Sequence, residues 1–279
     1  MGAHEIPIGT NFSSNGLIVI IRQSSFDEIG QNDACNVRRN TVTQRTTRKR
    51  LIMNKVIFGI LALTAFAATV QAATAADTKW VEGQHYFLIK PAQPTNVAAG
   101  KVEVIEVFSY GCPACFQFYT TADKLKAALP KNAEMSYLPA SWNPSEDWPL
   151  FQRAYFTAQA LGVADKAHDA MFNAVWASDE LAVSDRRTNR LKNPLPSIEQ
   201  VAAFYARTTG VKKDEFVRIA KSFSIEIRMK SADIAIKAYR ADSTPTIIVN
   251  GKYRLNPTSA GGDKETIELV KYLVAKESK

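Results

Sequence analysis

The sequence predicts an α/β domain with a block of helices inserted in its middle. A β-branched apolar run over residues 101–108 indicates a buried central strand. A second β pattern returns at residues 245–255. Between them, residues 149–240 have helical periodicity throughout. Because β elements flank the helical block on both sides, we expect one α/β domain with a helical insertion at about 142–240.

Before the helical block, the sequence predicts strand, helix and strand in that order. An apolar run at 86–89 is followed by the central strand at 101–108. A helix should begin at Cys112 and end before Pro130, and a short strand should follow around 135–138. The apolar positions of that helix have a 3-4-3-4 spacing, typical of one buried face (Cys115, Phe118, Ala122, Leu125 and Leu129).

The helical block itself divides at polar and capping residues. Ser197 and Gln200 form a capping-box pattern at the start of one helix. The polar stretch 184–196 predicts a solvated loop. Predicted helices are 150–161, 165–177, 198–209 and 213–239, the last interrupted near Ser224.

The end of the chain predicts a hairpin and a closing helix. Asn250-Gly251 separates β patterns at 245–249 and 252–255, which is a strong hairpin signal. An amphipathic pattern over 263–276 predicts the final helix.

Residues 53–76 have the pattern of a secretory signal peptide. Lys55 precedes an uncharged apolar run at 56–70, and small residues follow at cleavage spacing after Ala72 and after Ala75. The alternative is an uncleaved membrane anchor, because residues 56–76 carry no charge over a spanning length. Alanine and threonine dominate the second half of the segment, which favours the signal peptide.

A signal is recognised at the amino terminus, yet residues 1–52 precede this one. We therefore expect translation to start at Met53, which would make residues 1–52 a non-native upstream extension. A long amino-terminal region of the signal is the alternative. The mature domain would then be 77–279, and it would lack Cys35 and keep two cysteines.

The net charge does not indicate nucleic-acid binding. The whole chain carries a formal charge of +8 and has a pI near 9.3. Residues 1–76 contain eight basic and four acidic side chains, which leaves 27 against 23 in the remainder. That excess of four is an ordinary solubility charge.

Cys112-Pro113-Ala114-Cys115 carries the clearest chemistry of the sequence. Two cysteines three residues apart at a helix start have Cα atoms about 5 Å apart, within reach of a disulfide. Cys112 should sit where unpaired N–H groups and the helix dipole stabilise a thiolate, with Pro113 at the first helical position. Cys115 lies on the apolar face, so we expect Cys112 to be attacked and Cys115 to be its shielded partner.

Two other interpretations of the pair carry less weight. Zinc needs four ligands, and the mature chain offers no second cysteine pair and two histidines, His85 and His168. A structural disulfide would close a loop too short to stabilise the fold much. The sequence therefore predicts a redox disulfide and no bound metal.

Glu106 is unusual because it is a carboxylate inside an otherwise apolar strand. Burial should raise its pKa, which would let it exchange a proton with Cys115. Alternatively, strand twist exposes the side chain at a sheet edge.

Two segments resemble the DsbA family of bacterial thiol–disulfide oxidoreductases. They are Glu106-Val-Phe-Ser-Tyr-Gly-Cys112-Pro-Ala-Cys115-Phe-Gln-Phe118 and Thr244-Pro245-Thr-Ile-Ile-Val-Asn250-Gly-Lys-Tyr-Arg-Leu-Asn256-Pro257. The resemblance spans about residues 80–279. It implies a thioredoxin fold with an inserted all-helical domain and a cis-proline at Pro245 facing the cysteines. By base rate alone, a proline that opens a strand would be trans.

The resemblance also implies a function in the Gram-negative periplasm. The protein would introduce disulfides into unfolded exported proteins with free thiols, and a DsbB-like, quinone-linked membrane oxidase would reoxidise it. It would need no cofactor beyond the cysteine pair. Apart from the resemblance, we expect the protein to be a monomer. Beside the catalytic set of Cys112, Cys115, Pro245 and Glu106, the candidate substrate contacts are Thr244, Pro113, Tyr110 and Phe116. For the two aromatic residues, plain packing is an equal alternative.

Two residues depart from the best-known members of the family. Those members have Pro-His between the cysteines, whereas this chain has Pro113-Ala114. They have valine at the position where this chain has Thr244. Without the imidazole, Cys112 loses one stabiliser of its thiolate, so we expect a milder oxidant.

Two other functions remain open from the sequence. One is a disulfide reductase or isomerase, although residues 77–100 are too short to supply the dimerisation domain that such isomerases carry. The other is a periplasmic chaperone or binding module whose cysteines are structural. Replacing Cys112 with alanine separates them, because a chaperone would retain its activity.

Overall fold

The computed structural model describes residues 79–185 and 187–278. The predicted extension 1–52 and signal peptide 53–76 lie outside these residues. Within them, no helix is long and apolar enough to cross a membrane.

Five strands form the main sheet, in the order β1-β7-β6-β2-β3. The strand β2 pairs in parallel with β3 and antiparallel with β6, and all seven of its residues are buried. The five strands are β1 (Phe87–Leu88), β2 (Val102–Phe108), β3 (Ala133–Pro139), β6 (Thr246–Val249) and β7 (Tyr253–Leu255). The resulting mixed α/β sheet is the thioredoxin-type fold expected for this sequence.

Helices cover both faces of the sheet. On one face, α1 (Pro113–Ala128) and α8 (Asp263–Glu277) bury Leu125 and Leu269 against Val104 of β2. On the other face, residues of β2 such as Val107 pack against the helical block. The block consists of α2 (Trp148–Ala160), α3 (Ala164–Trp176), α4 (Ile198–Thr209), α5 (Lys213–Ala220) and α6 (Phe223–Ala238), all between β3 and β6.

The helix bounds follow the sequence signals closely. The helix α4 has its bounds at the predicted residues, and Ser197 and Gln200 make both hydrogen bonds of the capping box. The predicted helix at 213–239 is two helices that meet at residues 221–222, with Ser222 as the N-cap of α6.

Two short features differ from the prediction. The stretch 184–196 was predicted as a loop, but it contains a small hairpin of β4 (Ser184–Asp185) and β5 (Arg190–Leu191). The hairpin forms because the Asp185 carboxylate accepts the backbone N–H groups of Arg187 and Thr188 and so closes the turn. The short helix α7 (Pro257–Ala260) was not predicted, and reciprocal hydrogen bonds between Asn256 and Ser259 cap it.

Candidate active site

Cys112 is the N-cap residue of α1, with extended backbone angles of φ −91° and ψ 120°. Its Sγ accepts the backbone N–H of Cys115 at 3.4 Å. Pro113 occupies the first turn, where its missing N–H costs no hydrogen bond. The sulfur therefore lies at the positive end of the helix, as the sequence predicted.

Both cysteines are thiols in this structure, and they differ in environment. Cys112 is 5% exposed and Cys115 is fully covered. A hydrogen bond from the Cys115 side chain lowers the pKa of Cys112 to about 6, although burial acts in the opposite direction. The backbone N–H groups of Cys115 and Ala114 also lower this pKa. Burial raises the pKa of Cys115 well above its ordinary value, and the neighbouring Cys112 and Glu106 raise it further. Near neutral pH, the pair therefore holds a thiolate at Cys112 and a protonated thiol at Cys115.

Glu106 lies in β2 with its side chain 2% exposed, so the prediction of burial is correct and the edge alternative is wrong. Its register partners are Tyr137 on β3 and Ile247 on β6. Among the described residues, its Oε2 atom has no hydrogen-bond partner. Burial raises the pKa of Glu106 to about 8, and the negative charges of Asp123 and Cys112 add to the shift. This carboxyl group therefore carries a proton at neutral pH.

The peptide bond between Thr244 and Pro245 is cis, as the family resemblance implied. Sγ of Cys112 lies 3.5 Å from the carbonyl oxygen of Thr244 and donates to it when the thiol is protonated. Pro245 is buried and Thr244 is half-buried. The segment before β6 therefore lies directly against the cysteine that is predicted to be attacked.

A groove of about 320 Å³ runs beside this contact. Amide, hydroxyl and carboxylate groups from three parts of the chain line it. Its walls include Gln117, Ser243, Thr244, Asn256, Thr258 and Asp263. Its polar walls can hydrogen-bond an extended peptide segment placed next to Cys112.

The remaining predicted contact residues have different positions. Pro113 is exposed beside Cys112. Phe116 is half-buried, and its ring stacks on Tyr119 at 5.7 Å and on Trp176 at 6.0 Å. Both Pro113 and Phe116 thus keep surface next to the cysteine pair.

Tyr110 is not a surface contact, which corrects the sequence prediction. Its side chain is fully buried because the loop directs it inward, under α3. The hydroxyl lies 2.9 Å from Nδ1 of His168, and the ring packs against Phe108 at 5.0 Å and Phe172 at 4.9 Å. Tyr110 therefore supports the loop that carries Cys112 and does not reach a bound substrate.

Two tryptophans from the helical block also hold this loop. The Trp176 indole N–H donates to the carbonyl oxygen of Tyr110 at 2.8 Å. Trp148 packs so closely on Gly111 that a Cβ there would lie 2.8 Å from the indole ring. No local motif marks either residue, since both come from the helical block, far along the chain from the cysteines.

The alternative of a zinc site requires further metal ligands close to the two cysteines. Among the described residues, no group of three or more histidine, cysteine or acidic side chains is arranged to hold a metal ion. Two thiols alone fall short of the four ligands that zinc prefers.

Comparisons with known proteins agree with this geometry. A thioredoxin family model matches residues 97–268. The thiol:disulfide interchange protein DsbA of Azotobacter vinelandii is 33% identical over 230 residues, covering 81% of this chain and 98% of that protein. The Pseudomonas aeruginosa DsbA is also 33% identical, covering 78% of this chain and 95% of its own.

Solved structures give the same picture. A crystal structure of Pseudomonas aeruginosa DsbA superposes with a TM-score of 0.60 at 32% identity, covering 71% of this chain and 94% of that one. The oxidoreductase DsbA from Xylella fastidiosa also superposes with a TM-score of 0.60 at 32% identity, covering 69% and 94%.

Proposed function

The chain belongs to the DsbA family of thiol:disulfide interchange proteins, and we propose that Cys112 and Cys115 form the disulfide that it transfers to its substrates. The protein is accordingly a thiol:disulfide oxidoreductase that introduces disulfide bonds. The observation that carries the residue assignment is the opposite shift of the two thiol pKa values. Cys112 is acidic and lies at a helix N-terminus, whereas Cys115 is protonated and covered.

The proposed cycle starts from the oxidised pair. A substrate thiolate attacks Sγ of Cys112, a sulfur–sulfur bond forms to the substrate, and the Cys112–Cys115 bond breaks with its electron pair going to Cys115. A second substrate thiolate then attacks the substrate sulfur of the mixed disulfide and releases Cys112 as a thiolate. The substrate loses two electrons and gains a disulfide, and the enzyme pair takes up those electrons.

The acidity of Cys112 drives this transfer toward the substrate. A thiol of low pKa is a good leaving group, so the mixed disulfide resolves quickly at Cys112. The same stabilised thiolate lowers the free energy of the reduced enzyme, which makes the oxidised enzyme a stronger oxidant. Hydrogen bonds at the start of α1 stabilise this thiolate.

We assign Glu106 the role of proton donor to Cys115 in the first step. When the disulfide breaks, Cys115 leaves as a thiolate in a covered site, where its charge is poorly solvated. The carboxyl group of Glu106 is buried near Cys115, and in its ionised form its negative charge raises the pKa of that thiol. Transfer of the carboxyl proton would neutralise the leaving thiolate, and the proton would return when the enzyme is reoxidised.

The groove beside Pro245 is the proposed substrate site. The backbone at Thr244 would hydrogen-bond an extended substrate segment, and the polar groove walls would hold its side chains. Phe116 and Pro113 would contact apolar parts of an unfolded chain at the other side of Cys112. The cysteine pair is the redox group of this cycle, which calls for no bound cofactor or metal.

Relatives in this family act on substrate proteins in the Gram-negative periplasm and are reoxidised by DsbB-type partners. For this chain we propose export by the leader at 53–76 and reoxidation by a DsbB-like, quinone-linked membrane oxidase. We also propose that it acts as a monomer on unfolded exported proteins with free thiols.

Single-cysteine variants test the residue assignment. The oxidised protein is mixed with a reduced, unfolded model substrate, and the products are separated without reduction. Cys115→Ser cannot form the internal disulfide, so it is first treated with oxidised glutathione, which leaves glutathione disulfide-bonded to Cys112. We expect the wild type to oxidise the substrate. In Cys115→Ser, a substrate thiolate should attack Cys112, displace glutathione as a thiolate and form a mixed disulfide through Cys112. Cys112→Ser should neither oxidise the substrate nor form a mixed disulfide with it. If Cys112→Ser still oxidised the substrate, or if Cys115→Ser trapped no adduct, the proposed roles of the pair would be wrong.

A further inference from the structure

The outward face of α6 presents large apolar side chains to solvent. Phe223, Ile227 and Ile234 are 77%, 48% and 69% exposed. At 100° per residue, their spacings of four and seven place them within about 40° of arc, in one line along the helix. They form an exposed apolar stripe, which we call the α6 stripe.

The stripe is additional to the face that anchors the helix. The opposite side of α6 already packs into the core through Ile225, Met229, Ala232 and Ile236, all of them buried. A helix that is apolar on both sides normally has both sides covered. The exposed surface of the stripe is therefore additional to what the packing of this domain needs, and it is available to another partner.

Two lysines lie beside the stripe, whereas the nearby acidic residues of α6 have polar partners. Lys230 and Lys237 lie on the same outward face, interleaved with the stripe, and both are exposed. Among the described residues, neither takes part in an ion pair. The acidic residues of α6 are engaged at its flanks, where Glu226 pairs with Arg153 and Asp233 accepts hydrogen bonds from Ser141 and Gln152.

We propose that the α6 stripe docks on an anionic phospholipid bilayer. Apolar side chains in a line with flanking lysines are the features by which a surface helix binds the interface of such a membrane. The lysines would lie at the level of the phosphate groups, and Phe223 and the two isoleucines would enter the acyl boundary. Docking of this kind would hold the protein beside a membrane without spanning it.

The area of the stripe argues against a second copy of the chain as occupant. Three side chains of this size cover a few hundred Å² at most, whereas a stable interface needs roughly 800 Å² from each partner. Two copies would also bring Lys230 and Lys237 against their own counterparts, and like charges in contact oppose association.

Vesicle flotation tests the proposal. The chain is expressed whole and every variant is purified from the same cell fraction, so that residues 1–78 contribute equally in each. The vesicles are phosphatidylcholine alone, or phosphatidylcholine and phosphatidylglycerol in equal parts. We expect the wild type to float with the anionic vesicles, less so at high salt, and only weakly with the neutral ones.

Two sets of variants separate the stripe from the rest of the surface. The triple variant Phe223→Ser, Ile227→Ser, Ile234→Ser should lose at least about tenfold in partitioning onto anionic vesicles. Lys230→Glu with Lys237→Glu should abolish the preference for anionic vesicles. Leu191→Ser, at an apolar residue that is 50% exposed elsewhere, is the matched control and should bind like the wild type. All variants should oxidise a soluble substrate at the wild-type rate, which verifies their folding.

Three results would overturn the proposal. The wild type could float equally with neutral and anionic vesicles, or the triple variant could bind as well as the Leu191→Ser control. Sedimentation could also reveal a dimer of the wild type that the triple variant lacks, which would make the stripe a subunit interface. None of these results would alter the assignment of Cys112 and Cys115, since soluble-substrate oxidation is measured separately.

Discussion

Glu106→Gln should stabilise the protein, by an amount that grows with pH. The wild-type carboxyl has a pKa raised from 4.5 to about 8 in the folded protein. An acid with a raised folded pKa binds more protons folded than unfolded, so stability is full below pH 4.5 and falls as the pH rises to about 8. Glutamine carries no charge to bury and should not show this loss.

The size of the effect follows from that shift. Each pH unit between the unfolded and folded pKa values costs the wild type about 1.4 kcal/mol. We therefore expect the variant and the wild type to be nearly equal at pH 4. At pH 7 the variant should be more stable by about 3 kcal/mol, and above pH 8 the difference should level off near 5 kcal/mol.

Urea unfolding of the reduced proteins across this pH range measures the difference directly. Subtracting the wild-type free energy of unfolding from that of the variant removes the titration of the groups that do not interact with Glu106. Glu82→Gln, at an exposed glutamate, is the control and should show no such trend. A variant advantage that did not change between pH 4 and pH 8, or a variant less stable than the wild type at pH 7, would refute the burial argument.

Three further predictions concern the loop and the thiolate. The Cys112 thiolate should titrate near pH 6 in the reduced protein, so the contribution of this group to the stability of the reduced fold should grow as the pH rises above 6; ultraviolet thiolate absorbance measures the titration, and a pKa near 9 would contradict it. Gly111→Ala should destabilise the protein by about 1–3 kcal/mol in thermal unfolding because its Cβ meets Trp148, and an unchanged midpoint would mean that the ring moves freely. Tyr110→Phe should cost about 1 kcal/mol by leaving His168 without its hydroxyl partner, while the KM for substrate stays the same; a raised KM would restore Tyr110 as a contact.

Local signals in the sequence were sufficient for most of the architecture. The capping pattern of Ser197 and Gln200 fixed the start of α4, and Asn250-Gly251 fixed the last hairpin. The N-cap position of Cys112 and the burial of Cys115 followed from the strand-to-helix transition and the apolar spacing alone. In each case the interactions that determine the structure join residues only a few positions apart in the chain.

The errors arise where distant parts of the chain meet. Tyr110 is a candidate substrate contact from the sequence because nothing near it in the chain shows that α3 covers the loop and supplies His168 as its partner. The contacts of Trp148 and Trp176 with the same loop were missed for the same reason. The hairpin at 184–191 depends on side-chain hydrogen bonds from Asp185 within a polar stretch, where hydrophobic periodicity gives no signal.

The family resemblance added what local patterns could not supply. A cis bond before Pro245 runs against the base rate for proline, yet the structure has it. The contact between the Thr244 carbonyl and Cys112 joins residues 132 positions apart, which no local periodicity predicts. The roles assigned to Glu106 and to the groove at Pro245 remain predictions.

The reduction potential of the Cys112–Cys115 pair tests the oxidase assignment most directly. The pKa of Cys112, about 6, lies between the values near 3.5 for DsbA and near 7 for thioredoxin. With the protein equilibrated against glutathione and its free thiols trapped, we predict a potential between about −120 mV, as in DsbA, and about −200 mV. A potential near −270 mV, as in thioredoxin, would contradict the assignment and make the protein a reductase.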